Sequence, residues 1–158
     1  MTFLAAFLLA AQASAPAPPA DFAAGAEACV AALQPGAVDT PALRQAGWTM
    51  VRSGETAMGH VEVFGRDDSR VQLFTSAMGH CVVDGLATGP EQFDAFKDAI
   101  RERLATRFGP EFSLTEATGS GASRGQGYRV GDRMAVLTSQ MRSNGLSLRF
   151  TSMRFPGQ

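Results

Sequence analysis

Residues 88–110, which read TGPEQFDAFKDAIRERLATRFGP, predict a long amphipathic helix in the middle of the chain. Apolar side chains recur in this segment every three or four residues, which places them along one face of a helix. Thr88 with Glu91 three residues later is typical of a capping box, and Gly109-Pro110 predicts the end of the helix. The apolar stripe consists of Phe93, Phe96, Ile100, Leu104 and Phe108. Such a stripe has to be covered by another element, and an antiparallel sheet is the expected one.

Strand-like segments precede this helix and follow it. Those before it are separated by SGET, RDDS and SAMG, which favour turns, and such short connections make neighbouring strands antiparallel. Among those after it, GSGASRGQG at 119–127 is interpreted as a flexible hairpin connection, because it lacks the Gly-Lys-Ser/Thr of a phosphate-binding loop. The predicted strands span residues 48–52, 60–65, 70–76, 80–86, 112–117, 127–130, 134–140 and 146–151.

The N-terminal part of the domain predicts two further helices. The first begins near Asp21 and ends before Pro35-Gly36. A short helix follows over residues 41–46, with Asp39 or Thr40 as its cap and Gly47 as its stop. The apolar face of the first helix consists of Phe22, Ala26, Cys29 and Leu33.

These elements predict an α+β domain in which an antiparallel β-sheet is packed by two main helices. The element order is α-α-β-β-β-β-α-β-β-β-β, so that a helix followed by four strands occurs twice. One interpretation is a pair of pseudo-duplicated α-β4 halves. The halves share no convincing residue identity, however, and the short helix occurs only in the first.

The N-terminus is typical of an exported protein. Residues 3–11, FLAAFLLAA, form an apolar run, and the small residues Ala11 and Ala13 match the A-x-A pattern of signal-peptidase sites. We expect a signal peptide at 1–13, a disordered Pro/Ala leader at 14–20 and a single domain at 21–156. The apolar run is too short to span a membrane, which requires about 20 residues. The predicted location is the periplasm or the medium outside the cell.

The chain has two cysteines, and an oxidising compartment favours a bridge between them. Cys29 lies on the apolar face of the first helix, and Cys81 shares strand parity with Val83, which favours the inner face of the sheet. We therefore predict a disulfide that ties helix to sheet. The alternative is two buried free thiols. His80 is adjacent to Cys81 in a strand and so points to the opposite face, which argues against a catalytic dyad.

Both histidines occur in a local repeat, AMGHVEV at 57–63 and AMGHCVV at 77–83. Thioether and imidazole groups suit Cu(I), so Met58, His60, Met78 and His80 form a candidate metal site. The competing interpretation is that Met-Gly forms the turn before each strand, with each histidine pointing outward at the same end of the sheet. We favour the second interpretation, because a third strand is expected to separate the two histidine strands by about 9.6 Å.

Charge is unevenly distributed in a chain whose net charge is −1, because residues 121–158 contain six arginines and one acidic residue, Asp132. Three of these arginines alternate with apolar residues on predicted strands, so they are expected on the solvent face. They are Arg129, Arg142 and Arg149. On that face they could attract acidic protein, lipid phosphate or lipopolysaccharide. Nucleic acid is a poor partner for an exported chain of nearly neutral charge. The candidate binding face consists of His60, His80, Phe64, Phe74, Arg129 and Arg149.

We find no catalytic or cofactor-binding motif, and the function expected from the sequence is a small exported, non-catalytic binding module for a protein or an envelope component. Two alternatives remain open. One is a hydrolase-type enzyme that uses His60 or His80 with nearby carboxylates, and the other is a weak copper binder.

Overall fold

The computed structural model describes residues 15–57 and 59–155, so the predicted signal peptide at 1–13 lies outside the described residues. Within these ranges the chain forms three α-helices, which are α1 (Pro19–Ala32), α2 (Thr40–Gln45) and α3 (Phe93–Phe108). Among the described residues, no helix combines the length and the apolar character needed to cross a membrane.

The strands form a small hairpin and one large sheet. The hairpin joins α1 to α2 and consists of β1 (Leu33–Gln34) and β2 (Ala37–Val38). The large sheet contains β3 (Thr49–Thr56), β4 (Gly59–Gly65), β5 (Gln72–Ser76), β6 (His80–Ala87), β7 (Phe112–Ser120), β8 (Ser123–Val130), β9 (Arg133–Arg142) and β10 (Gly145–Arg154).

The large sheet is antiparallel throughout, with the strand order β3-β4-β5-β6-β10-β9-β8-β7. Each half is a meander of four strands, and the last strands of the two meanders pair at the centre, with Phe150 opposite Val83. This order is the one that a two-fold axis perpendicular to the sheet would generate. The predicted α+β class is thus confirmed, and the pseudo-duplication remains an interpretation of the topology.

Helices α1 and α3 lie side by side on one face of the sheet, here called the inner face; the opposite face is called the outer face. The rings of Phe22 in α1 and Phe96 in α3 meet edge to face with centroids 5.6 Å apart. From the sheet, Tyr128 donates a hydrogen bond of 3.2 Å to the carbonyl oxygen of Lys97 in α3. Burial of its ring raises the pKa of the Tyr128 hydroxyl. The helical stripes predicted from the sequence are buried in this layer, except that Phe108 is only partly buried. Leu33, predicted as the last residue of the first stripe, is buried but belongs to β1.

Cys29 of α1 and Cys81 of β6 lie at disulfide distance, with their Cα atoms 5.4 Å apart and both residues fully buried. The predicted pairing of helix with sheet is therefore confirmed. Gly25 makes the close approach possible, since a Cβ atom there would lie 3.1 Å from Val83 Cγ1.

Two predicted connections prove to be strand. The segment SGET at 53–56 belongs to β3, which continues to Thr56 and pairs with β4 along its length. Likewise, most of the glycine-rich segment 119–127 belongs to β7 and β8, and the turn is confined to Gly121 and Ala122. Glycine does not prevent strand pairing here, because the neighbouring strand supplies the backbone hydrogen bonds. The segment does connect a hairpin, as predicted, but the connection is two residues long rather than nine.

The start of the domain also differs from expectation. Helix α1 begins at Pro19 rather than Asp21, and Ala17 is buried with its N–H donating to the Leu86 carbonyl at 2.8 Å. The end of the predicted leader is therefore ordered against β6. At α3 a 3₁₀ turn over Pro90–Gln92 precedes the helix, and Gln92, not Glu91, accepts a hydrogen bond from the Thr88 N–H.

Candidate functional site

The outer face of the sheet is not covered by α1 or α3, and the strand register brings an apolar band to its middle. Val63 of β4 and Val82 of β6 flank Phe74 of β5 as its direct partners. The same row continues across β10 to Val136 in β9. The adjacent row contributes Val61, Met134 and Met153. These seven residues, Val61, Val63, Phe74, Val82, Met134, Val136 and Met153, are called the apolar band.

Exposure within the apolar band increases from the first half of the sheet to the second. Val63 is 4% exposed, whereas Met134 and Val136 on β9 are 40% and 43% exposed. The two rows also contain Thr151, Ser76 and His80, so polar side chains interrupt the apolar surface. Clustered apolar side chains mark interaction sites more often than scattered ones do. The band is therefore the strongest candidate for a contact surface on the described part of the molecule.

Arginines surround the apolar band. The register places Arg52, Arg129, Arg142 and Arg149 on the outer face. Within the paired segments of β4–β6 and β8–β10 described here, the only carboxylate on that face is Asp84. The face consequently combines an apolar centre with net positive charge.

Asp84 forms an ion pair with Arg149. The guanidinium donates from Nε and Nη2 to the two carboxylate oxygens at 2.7 Å each, which is the bidentate geometry that arginine favours. Hydrogen bonding to Asp84 raises the pKa of Arg149. The ion pair also holds the Arg149 side chain in one position on the open face.

Beside Arg149 the outer face forms a polar cleft of about 350 Å³. Arg142 lies at its other end, and Ser123, Thr138, Gln140 and Ser147 contribute hydroxyl and amide groups. This cleft, called the arginine cleft, lies next to the apolar band but shares none of its residues.

The residues of the predicted binding face lie on both faces of the sheet. Phe74, His80, Arg129 and Arg149 point to the outer face, as predicted. Phe64 instead pairs with Leu73 and is fully buried in the core on the inner face, so its assignment was wrong. The assignment of His60, the one remaining residue, to the outer face was also wrong.

His60 shares the parity of Phe64 and therefore lies on the inner face, beyond the edge of the helical layer. Its Nδ1 lies 2.9 Å from Glu55 Oε1, and a cleft of about 240 Å³ beside it is lined by Glu62, Thr75 and Thr40 among others. The His60 and Glu55 side chains are 48% and 78% exposed. Catalytic acid–base groups are usually held away from bulk water. This geometry fits a hydrogen-bonded pair on the surface better than a catalytic pair.

The candidate copper site is not assembled among the residues that the structure describes. His60 and His80 lie at the same end of the sheet but on opposite faces, and Met78 is 60% exposed. Met58 lies outside the described residues. No group of three or more His, Cys, Asp or Glu in the ranges 15–57 and 59–155 is arranged to hold a metal ion.

The chain was also compared with known proteins. No protein-family model, curated protein or solved structure matches it. Its function is therefore argued from the geometry of its own surface.

Sequence reasoning missed most of the apolar band. A signal was present in β9, where Met134, Ala135, Val136 and Leu137 are consecutive and apolar. A strand with one solvated face alternates between apolar and polar residues, so a continuous apolar run indicates that both faces make contacts.

Proposed function

We propose that this protein is an exported, non-catalytic binding module whose outer face docks a partner protein in the periplasm or outside the cell. The partner surface presents apolar side chains surrounded by carboxylates. The observation that carries the proposal is the apolar band on the sheet face opposite α1 and α3, which is most exposed at Met134 and Val136. Arg52, Arg129 and Arg149 lie around it.

The charges support a protein with an acidic contact surface. The arginines at the rim would meet carboxylates, while Phe74 and Val136 would contact apolar side chains, an arrangement common in protein interfaces. Export is supported by the apolar segment at 3–11 and by a disulfide pair that suits an oxidising compartment.

In-cell photo-crosslinking tests the proposal. A photoreactive benzoylphenylalanine replaces Val136 in the apolar band, and in a matched control it replaces Arg101, which is half exposed on α3. We expect irradiation to join the Val136 derivative to a discrete protein with an acidic contact surface and the Arg101 derivative to none. Combining the Val136 derivative with Arg129→Glu should reduce the yield, because the added carboxylate repels an acidic surface.

Other outcomes would contradict the proposal. Equal crosslinking from both positions would show unspecific collision. A crosslink between two copies of this chain would make the outer face a homodimer interface, and a crosslink to lipid alone would make it a membrane-contact surface. Mass spectrometry of the crosslinked product distinguishes these cases.

A further inference from the structure

The arginine cleft is distinct from the apolar band in its chemistry. Arg149 of β10 pairs in register with Thr138 of β9, and Ser147 pairs with Gln140. Arg142 lies four residues beyond Thr138 along β9, a Cα separation of about 13 Å in a strand. Two long cationic side chains therefore stand at the ends of a polar floor and can converge on a group between them.

The cleft has the electrostatics of an oxyanion site. Among the described residues that line it, none carries a carboxylate. Asp84 neutralises Arg149 in part, but it binds through Nε and Nη2 and lies on β6, away from the side of Arg149 that faces β9. The ion pair thus positions the guanidinium, and its Nη1 group is available to an acceptor in the cleft.

The remaining lining groups are suited to a hydroxylated ligand. Ser123 and Ser147 each offer a hydroxyl that can donate or accept, and Gln140 offers an amide. Thr138 donates its hydroxyl hydrogen to the carbonyl oxygen of Arg149 at 3.3 Å, so it offers a ligand an acceptor only. Guanidinium groups bind phosphate and carboxylate with directed pairs of hydrogen bonds. We propose that the arginine cleft binds the phosphate or carboxylate group of a polyhydroxylated ligand, such as an acidic or phosphorylated saccharide.

This inference is tested separately from the proposed protein partner, although Arg149 contributes to both surfaces. It concerns Arg142, Arg149 and the polar floor, whereas crosslinking from Val136 reports on the apolar band. A failed crosslink from Val136 would not affect the ligand titration of the cleft, and a failed titration would not affect the crosslink. The two proposals can therefore be refuted separately.

The test is a titration of the full mature chain, followed by NMR at moderate ionic strength, with glucose 6-phosphate, glucuronate, glucose and inorganic phosphate as probes. We expect saturable shifts of the Gln140 and Ser147 amides with glucose 6-phosphate or glucuronate, and weaker binding of the other two probes. Arg142→Gln should lower the affinity at least about tenfold, because it removes a charge-assisted contact. Arg149 is left unchanged, since its loss would leave Asp84 without its partner.

Arg52→Gln provides the matched control, because it removes the same charge from the same face but outside the cleft. It should change the affinity by less than about twofold at moderate salt, where charges a Debye length apart are largely screened. The inference would be overturned if neither acidic saccharide bound saturably, or if the two arginine variants weakened binding equally. It would also be overturned if inorganic phosphate bound as tightly as glucose 6-phosphate.

Discussion

At the scale of single residues, the repeated Met-Gly-His segments are explained by their glycines. Gly59 and Gly79 both adopt positive φ angles, +88° and +78°; Gly59 is the first residue of β4, and Gly79 directly precedes β6. A left-handed conformation favours glycine over residues with a Cβ atom. The repeat therefore reflects turn geometry, and Gly79 carries a second constraint because the hairpin of β1 and β2 packs directly on it.

Replacing Gly79 with alanine should destabilise the protein more than replacing Gly47. Both residues have positive φ, so each substitution incurs a conformational cost of about 1–2 kcal/mol. At Gly79 the new Cβ atom would also lie 2.6 Å from the carbonyl carbon of Gly36, whereas nothing lies within 4 Å at Gly47. We expect an additional loss of about 1–3 kcal/mol for Gly79→Ala. Urea denaturation of both variants provides the comparison. Equal losses of the free energy of unfolding would show that the hairpin of β1 and β2 can move away from the new Cβ atom at no cost.

At the scale of elements, Arg124 connects the second half of the sheet to α3. Its guanidinium lies 4.4 Å from the centroid of the Phe93 ring and donates a hydrogen bond of 2.8 Å to Asp94. Asp94 also lies 3.1 Å from Lys97. Hydrogen bonding from Arg124, and then from Lys97, lowers the pKa of the Asp94 carboxyl.

The ion pair between Asp94 and Arg124 should make the stability of the fold sensitive to acid. A carboxyl whose pKa is lower in the folded state stabilises the fold above its ordinary pKa, and this contribution disappears as the pH falls through the lowered value. We therefore expect the free energy of unfolding of Asp94→Asn to change less between pH 6 and about pH 2.5 than that of the wild type. Thermal unfolding across this range measures the difference.

Asp67→Asn is the control, because Asp67 lies in an exposed turn remote from α3. The effect at Asp94 is expected to be small, since more than half of its side chain is exposed and solvent screens the pair. Identical acid profiles for the two variants would show that Arg124 does not couple β8 to α3 electrostatically.

At the scale of the whole molecule, the link between Cys29 and Cys81 joins the helical layer to the centre of the sheet. The bridge spans 52 residues of sequence and includes β1 to β5, so it restricts a large part of the unfolded chain. Its burial protects it from reductant in the folded state.

Removing the bridge with Cys29→Ala and Cys81→Ala together should lower the free energy of unfolding by about 4 kcal/mol, within the range of about 2–5 kcal/mol seen for native disulfides. Urea denaturation of the double variant measures this loss, and the reduced, alkylated wild type serves as a second measurement. A loss below about 1 kcal/mol would mean that the bridge adds little to the packing of α1 on the sheet.

The sequence by itself determined the local elements of this protein and one long-range contact. The stripes of α1 and α3 follow from helical periodicity, and Gly47 and Gly109 mark helix ends because few other residues adopt positive φ. The cysteine pairing was predictable because only two cysteines exist and both lie on apolar faces.

Only the tertiary structure decided the inner face of β4 and the pairing of β6 with β10. Val61, Val63 and Phe64 are apolar at both parities of β4, and alternation cannot choose a face when both are apolar. Central pairing depends on how two distant meanders bury their shared core, which no local pattern encodes. The same pairing brings Val82, Met153 and the β9 residues into the apolar band, so the candidate site is a product of topology.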